Sequence, residues 1–261
     1  MAILALVALT LTLGCTLSSI GVETVRVGSL RTESTTLEAG DAERVRVDVR
    51  MGAGELRIDS GAEDLMDADF TYNVEAWQPE VSYEVTDGEG RLEVRQPNTE
   101  RISISGNTRN EWALRFGGEI PFDMRIECGA GDHDIDLAGL QVTRFDMQVG
   151  AGDASIRLGD TPILEDVEFD LGAGDVDIDL SGTWEQDADV DIQGGVGAIH
   201  LRLPDDVGVR VDVTKGVGDT DVNGLTQEGG AWVNPAYGSS DVTLDIRLQA
   251  GVGRIELDVV D

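Results

Sequence analysis

Three closely similar stretches decide the fold of this chain: GAGDHDIDL at Gly129–Leu137, GAGDASIRL at Gly150–Leu158 and GAGDVDIDL at Gly172–Leu180. Each joins a short glycine turn to a segment in which apolar and polar residues alternate. A fourth copy is GAGELRID at Gly52–Asp59, and three weaker copies are GVGAIHLRL at Gly195–Leu203, GVGDTDVNG at Gly216–Gly224 and GVGRIELDV at Gly251–Val259. The first glycines from Gly129 to Gly216 are spaced by 21, 22, 23 and 21 residues. A fixed period of this length predicts a stacked array.

Two apolar columns appear when the copies are aligned on the first glycine. The sixth residue after it is always aliphatic: Ile58, Ile135, Ile156, Ile178, Leu201, Val222 and Leu257. The fourth residue is mostly apolar: Leu56, His133, Ala154, Val176, Ile199, Thr220 and Ile255. Because side chains two residues apart lie on one face of a strand, both columns are predicted to face the core. The polar residues between them are predicted to face solvent.

A second alternating segment precedes the glycine turn, as in FDMQV at Phe145–Val149 and VEFDL at Val167–Leu171. One repeat therefore contains a strand, a Gly-x-Gly turn, a strand and a return loop, and glycine supplies the positive φ that a tight turn needs. We predict an all-β fold, a β-solenoid of stacked two-stranded coils of about 22 residues. An antiparallel meander of the same hairpins is the alternative, and the in-register repetition of like residues favours the coils.

Four segments follow from the distribution of these patterns. Residues 1–22 are predicted to be a signal peptide or membrane anchor, and residues 23–42 a linker. Residues 43–128 form an amino-terminal β region that contains one glycine copy, and residues 129–261 form the repetitive solenoid.

The first segment carries no charged side chain between Ala2 and Val22, and its run LTLGC ends at Cys15. This run resembles the lipobox of bacterial lipoproteins, in which a diacylglycerol is attached to the cysteine after cleavage. An uncleaved anchor and an ordinary cleaved signal are the alternatives, since 21 uncharged residues can just span a bilayer. All three predict an extracytoplasmic body, and the first two predict attachment to the membrane through a lipid or an apolar anchor.

The charge balance is strongly acidic, with 51 acidic and 19 basic residues, a formal net charge of −32 and Lys215 as the single lysine. A protein with this negative charge repels nucleic acid and anionic lipid head groups, so we predict no nucleic-acid partner. A high-salt habitat or a GC-rich genome would produce this composition whatever the function, and cation binding is the other interpretation.

One acidic column is a candidate metal site, because Asp132, Asp153 and Asp175 occupy the same place in successive copies. Stacked carboxylates repel unless a cation or water separates them. The segment Gly172–Leu180 also resembles the calcium nonapeptide of β-rolls, but it occurs once per coil and not in immediate tandem. A solvated acidic face is therefore the preferred interpretation, and no cofactor is predicted.

Catalytic motifs are scarce. No Gly-x-Ser-x-Gly, His-Glu-x-x-His, Cys-x-x-Cys or phosphate loop occurs. His133 falls in an inward column, His200 in an outward one, and Cys128 is predicted to be a small buried residue. Asp177, Asp179 and Arg202 match the grouping of acidic and basic residues in solenoid lyases, but other charged residues on such a ladder match it equally well. We therefore predict no enzyme.

An insertion lengthens the last repeat, because the first glycines Gly216 and Gly251 are 35 residues apart. It contains the loop Thr226–Ser240 with Trp232 and Tyr237. We expect these aromatic residues to cover the open end of the stack, and contact with a ligand is the alternative.

The segment before the regular repeats carries a family resemblance, through VDVRMGAGELRI at Val47–Ile58, FTYN at Phe70–Asn73, WQPEVSY at Trp77–Tyr83 and IPFDMRIECGAGDHDIDL at Ile120–Leu137. These runs resemble the amino-terminal domain of the toast-rack family of bacterial envelope proteins, over about residues 43–180. The chain is similar, more loosely, to LiaF-type sensors and to adhesins with serial glycine repeats. The resemblance implies a β-solenoid outside the membrane, no known reaction and no catalytic residues.

The predicted function is a non-enzymatic, envelope-anchored β-solenoid that acts as a structural or interaction module with an unidentified protein or glycan partner. The alternative is an adhesin or envelope-stress sensor domain that binds a polysaccharide or cationic ligand, with or without calcium.

Overall fold

The structure is a computed structural model that describes residues 23–97, 102–105 and 107–260. Its strands are β1 (Glu23–Arg26), β2 (Arg31–Leu37), β3 (Arg44–Ala53), β4 (Glu55–Ser60), β5 (Met66–Tyr72), β6 (Glu80–Thr86), β7 (Glu89–Arg95), β8 (Ile102–Ser105), β9 (Asn110–Phe116), β10 (Phe122–Ala130), β11 (His133–Asp136), β12 (Val142–Ala151), β13 (Ala154–Arg157), β14 (Asp166–Ala173), β15 (Val176–Asp179), β16 (Ala188–Pro204), β17 (Gly208–Val217), β18 (Thr220–Asn223), β19 (Thr226–Glu228), β20 (Ala231–Val233) and β21 (Thr243–Val260). A 3-10 turn, Glu75–Trp77, is the only helical element in these ranges. The predicted all-β class is confirmed.

The strands that precede the glycine turns form one parallel ladder, here called the first ladder. Its order is β7, β3, β10, β12, β14, the first half of β16, the first half of β21, and β17. The strands that follow the turns form the second ladder, in the order β9, β4, β11, β13, β15, the second half of β16, the second half of β21, and β18. This parallel pairing is that of stacked coils and not that of an antiparallel meander.

The core lies along the inward faces of the two ladders. Ile135 pairs in register with Ile156, which pairs with Ile178, and all three side chains are buried. The sixth-place residues therefore stack on one another, as their alternation predicts. Aromatic residues add bulk towards the amino-terminal end, where the rings of Phe70 and Trp112 meet edge to face at 5.4 Å.

The second glycine of each turn is required by the stacking itself. Gly152 has a φ of 126°, and a Cβ built on it would lie 1.8 Å from the carbonyl oxygen of Gly131 in the neighbouring coil. The same close contact recurs at the far end of the stack, where a Cβ on Gly218 would lie 1.6 Å from the carbonyl oxygen of Gly253. The turns therefore nest backbone against backbone, and no L side chain fits at this position.

The order of the coils in space differs from their order in sequence. The last copy, in β21, lies between β16 and β17, so Gly251 stacks on Gly195 and Gly216 stacks on Gly251. The physical reason is the insertion, which gives the chain enough length after β18 to turn back and enter the stack beside β16. The coil that contains β17 and β18 therefore forms the end of the stack.

Antiparallel strands cover the amino-terminal end of the stack and a small part of the other end. At the amino-terminal end β6 pairs with β7, β5 pairs with β9, and β2 pairs with β5. At the other end β20 pairs with β17 at Arg210 and Val211. The insertion therefore contributes a strand that pairs with part of β17.

The segment 23–42 differs from the expected linker. It contains β1, which pairs with β8, and β2, which extends the cover over the amino-terminal end. The run RTESTTL of β2 is an outer strand with both faces largely exposed, so no apolar periodicity marked it as a strand. Cys15 lies outside the described residues, and no helix within them is long and apolar enough to cross a membrane.

Candidate functional site: the acidic groove of the second ladder

An open groove of about 680 Å³ crosses the outer face of the second ladder, where β5, β9, β4, β11 and β13 lie side by side. Small residues make the space, because Ala113 and Ser155 lie on the outer face where neighbouring strands carry the longer Arg57 and Asp134. The groove thus follows from the column of outward residues at the fifth place after the first glycine.

The lining of this groove is acidic. It includes the carboxylates Glu55, Asp69, Glu111, Asp132, Asp134, Asp153, Asp175 and Asp177. Among the described residues of the lining the single arginine is Arg57, which donates to Asp59 at 2.6 Å and to Asp134 at 3.1 Å. Its charge is shared between these two partners, so the groove as a whole carries a large negative excess.

The predicted metal candidates Asp132, Asp153 and Asp175 all lie in this groove. Backbone amides stabilise two of them, since Asp153 Oδ1 accepts from the amide of Asp175 at 3.1 Å and Asp175 Oδ1 accepts from the amide of Ala198 at 2.9 Å. Each carboxylate thus bonds to the next coil, which offsets part of the repulsion expected for the column. Within the described ranges, no group of three or more His, Cys, Asp or Glu side chains is arranged to hold a metal ion.

A second polar cluster lies further along the same face. His200 places Nδ1 2.9 Å from Asp177 and Nε2 2.7 Å from Asp258, in neighbouring strands. Arg202 donates to Asp179 at 3.3 Å and to Asp177 at 3.4 Å. The hydrogen bond from Asn223, followed by that from His200, lowers the pKa of Asp258.

The lyase-like grouping of Asp177, Asp179 and Arg202 is therefore brought together, but as a ladder of ion pairs. The guanidinium is engaged by both carboxylates, so it is not available as a base for a substrate. The pairing of opposite charges between adjacent strands explains the arrangement fully.

His133 and Cys128 are core residues. His133 lies in the inward column between Leu56 and Ala154, and neither of its ring nitrogens has a hydrogen-bond partner within the described ranges. Burial lowers its pKa, against a smaller opposing effect of the Asp132 charge. Burial raises the pKa of the Cys128 thiol to about 12, so it remains protonated and unreactive at neutral pH.

The aromatic candidates of the insertion lie apart from the groove. Trp232 is half-buried in β20, opposite Val211 of β17, and Tyr237 is partly exposed in the following turn. Between them, Asn234 is buried and makes four hydrogen bonds: its Oδ1 accepts from the amides of Val209 and Tyr237, and its Nδ2 donates to the carbonyls of Pro204 and Val207. Sequence reasoning missed this residue, although an Asn-Pro pair in a loop is a recognised turn signal.

Two family models match the chain. The model described as the N-terminal domain of toast_rack, DUF2154, matches residues 26–162, and the model described as cell wall-active antibiotics response LiaF, C-terminal, matches residues 152–257. A search of curated proteins gives no significant match.

Solved structures agree with the first of these models. A crystal structure of a candidate cell adhesion protein from Clostridium sporogenes aligns with 30% identity and a TM-score of 0.70, over 89% of this chain and 100% of its own. A candidate adhesin from Parabacteroides distasonis covers 91% and 100% at 13% identity, but its TM-score of 0.34 is too low to support an argument. A family model over more than half of the chain and a relative of 30% identity show that the chain belongs to the toast-rack family.

Proposed function

We propose that this chain is a non-catalytic interaction module of the cell envelope. The matching families are named for a toast-rack fold and for a cell-wall antibiotic response, and the relative from Clostridium sporogenes is described as a cell adhesion protein. The paired charges on the outer face support a scaffold and not a reaction centre. The body lies outside the cytoplasmic membrane in this proposal, attached through Cys15.

The acidic groove is the observation that favours a particular class of ligand. Among the described residues eight carboxylates and one guanidinium line it, and the small residues Ala113 and Ser155 lie on its floor. An extended cationic chain can therefore lie against the sheet and exchange its counterions for fixed carboxylates. The proposed ligand is a cationic polymer or peptide of the envelope.

The experiment uses fluorescein-labelled hexalysine as the probe and measures fluorescence anisotropy over a range of sodium chloride concentrations. The test variant combines Asp132→Asn and Asp153→Asn, which removes two charges from the groove and keeps an acceptor oxygen at each position. The matched control combines Asp205→Asn and Asp206→Asn, which removes two exposed charges from the loop between β16 and β17.

We expect the groove variant to bind hexalysine at least about fivefold more weakly than the control variant at 0.1 M salt, where the Debye length is about 10 Å. Equal losses in the two variants would show a general effect of net charge, and the groove would then have no particular role.

Lipid attachment is tested separately. Metabolic labelling with a fatty acid should mark the wild-type protein, and Cys15→Ser should abolish the label. An unlabelled protein that stays in the membrane fraction at full-length mass would favour the uncleaved anchor.

A sensor role is the second candidate, because the carboxyl-terminal half matches the LiaF model. A strain that lacks the gene should then differ from its parent in the transcriptional response to a cell-wall-active antibiotic, and the wild-type gene should restore the response. An unchanged transcriptional response would exclude the sensor role and leave the role of an interaction module.

A further inference from the structure

The end coil of the stack is covered unequally. Of the four strands that end the two ladders, β7 and β9 pair along their whole length with the antiparallel strands β6 and β5, and β17 pairs with β20 at Arg210 and Val211. The fourth, β18, pairs with β21 on one side, and no strand among residues 23–97, 102–105 and 107–260 pairs with its other side. This free side of Thr220–Asn223 is here called the open edge.

Backbone groups of the open edge point outward. In the interior coils, the amide of the fourth-place residue donates to the next coil, as from His133 to Asp153 O at 2.9 Å and from Ile255 to Asp219 O at 3.1 Å. Thr220 is the fourth-place residue of the end coil. Because successive residues of a strand bond to opposite sides, the amides and carbonyls of Thr220 and Val222 point away from β21, as in any edge strand.

The apolar column is also left incomplete at this end. Ile255 and Leu257 in β21 are 1% and 0% exposed, whereas Thr220 and Val222, their partners in β18, are only partly buried. One further strand would cover both side chains.

The charges at the open edge indicate which side chains an added strand should carry. In the same outward column, Arg57 pairs with Asp134 at 3.1 Å and His200 with Asp177 at 2.9 Å. At the end of the column Asp221 lies next to Glu256, whose carboxylate pairs with Arg254 at 3.2 Å, and no basic side chain of the described residues pairs with Asp221. A strand added to the open edge should therefore place a basic side chain beside Asp221.

We propose that the open edge binds an extended segment of a partner protein as an additional strand. Its aliphatic side chains pack over Thr220 and Val222, and its basic side chains pair with Asp221. A second copy of this chain is a poorer occupant, because edge-to-edge pairing across a two-fold axis would bring the β18 carboxylates of two chains of charge −32 together. The partner sequence is thus an alternating aliphatic and basic segment.

The test uses a fluorescein-labelled octapeptide of alternating valine and lysine with the full-length chain at 0.15 M sodium chloride. The control peptide has the same sequence but carries N-methyl groups on alternate residues, so that one edge cannot form backbone hydrogen bonds while its charge is unchanged. We expect the unmethylated peptide to bind at least about tenfold more tightly, because only it can add a strand.

Two protein variants locate the binding. Val222→Pro removes an amide that points away from β21, so it should abolish binding and leave the melting temperature nearly unchanged. Asp221→Lys should weaken binding of the lysine peptide and favour an octapeptide of alternating valine and glutamate. The ratio of affinities for the unmethylated and methylated peptides should be the same in the groove variant of Asp132 and Asp153 as in the wild type, which separates this site from the groove.

Three results would overturn the proposal. Equal affinity for the methylated and unmethylated peptides would show that only charge attracts them. Absence of binding would show that β18 does not accept a strand. Dimerisation of the chain without peptide, lost in Val222→Pro, would show that a second copy occupies the edge.

Discussion

At the scale of single residues, the fold depends on the close approach of one glycine turn to the next. The second glycine combines a positive φ with a carbonyl oxygen less than 2 Å from the position of a Cβ, as at Gly152 and Gly174. The residue between the two glycines points outward, which is why alanine and valine both occur there. The close stacking of the turns therefore explains the Gly-x-Gly pattern without a ligand.

Gly152→Ala should destabilise the chain strongly. Its Cβ would lie 1.8 Å from the carbonyl oxygen of Gly131, so the two coils would have to separate. Gly139→Ala is the matched control, because Gly139 has a φ of 80° and a Cβ added to it would meet no atom within 4 Å. We expect the control to cost about 1–2 kcal/mol in unfolding free energy from φ alone, and Gly152→Ala to cost at least about 2 kcal/mol more. Denaturant unfolding measures both, and equal costs would contradict the stacking argument.

The buried His133 should make the chain sensitive to mild acid. Burial lowers its pKa, so the unfolded chain binds a proton below about pH 6.5 that the folded chain does not. The contribution of His133 to stability is therefore present above the unfolded pKa and lost as the pH falls below it.

His133→Val should remove this dependence. Denaturant unfolding gives the unfolding free energy of the variant minus that of the wild type. This difference should be greater at pH 5 than at pH 7.5, by up to about 2 kcal/mol. Carboxylates titrate alike in both proteins and cancel in the comparison. A constant difference between the two pH values would show that His133 is charged or solvated in the folded chain.

At the scale of strands, the sequence predicts which side chains face the core in the strands beside the glycine turns, but it does not predict the order of the coils. Residues such as Ile156 and Ile178 could be assigned to the core because an alternation of period two fixes the face. The position of β21 between β16 and β17 could not, because its apolar columns would fit equally well at the end of the stack. The length of the insertion alone does not fix where the chain re-enters the stack.

The insertion is held in place by Asn234, so Asn234→Ala should loosen the end coil. The change removes four hydrogen bonds and leaves two buried carbonyls and the amide of Val209 without their partner. We expect a loss of at least about 2 kcal/mol in unfolding free energy. Asn223→Ala, which removes one exposed hydrogen bond to Asp258, is the control and should cost less than about 1 kcal/mol. Similar losses would show that the insertion does not hold the end coil.

At the scale of the whole molecule, the sequence indicates the class of site but not its shape. The column of Asp132, Asp153 and Asp175 was visible from the repeat spacing alone. The groove also requires Asp69 and Glu111, which come from β5 and β9. Strand β5 pairs antiparallel with β9, and β9 pairs parallel with β4. No local sequence pattern encodes these long-range pairings.

The net charge of −32 should make stability depend on salt in a characteristic way. Adjacent carboxylates about 5 Å apart repel by about 0.5–1 kcal/mol in water, and screening reduces this repulsion. Added sodium chloride should therefore raise the melting temperature gradually. The backbone hydrogen bonds to Asp153 and Asp175 already stabilise two of the carboxylates, so calcium should add little beyond its ionic strength.

The decisive measurement is a calcium titration of the melting temperature at constant ionic strength, with magnesium as the control ion. A calcium site would give a saturable rise that follows mass action, and Asp153→Asn or Asp175→Asn would abolish it. Screening depends on ionic strength, so at constant ionic strength it would give little or no shift, equal for both ions and in both variants. We expect the second result, because each of these two carboxylates has an oxygen that already accepts a hydrogen bond from the next coil. A saturable, calcium-specific rise would instead make the acidic column an ion site and would favour a calcium-dependent adhesin.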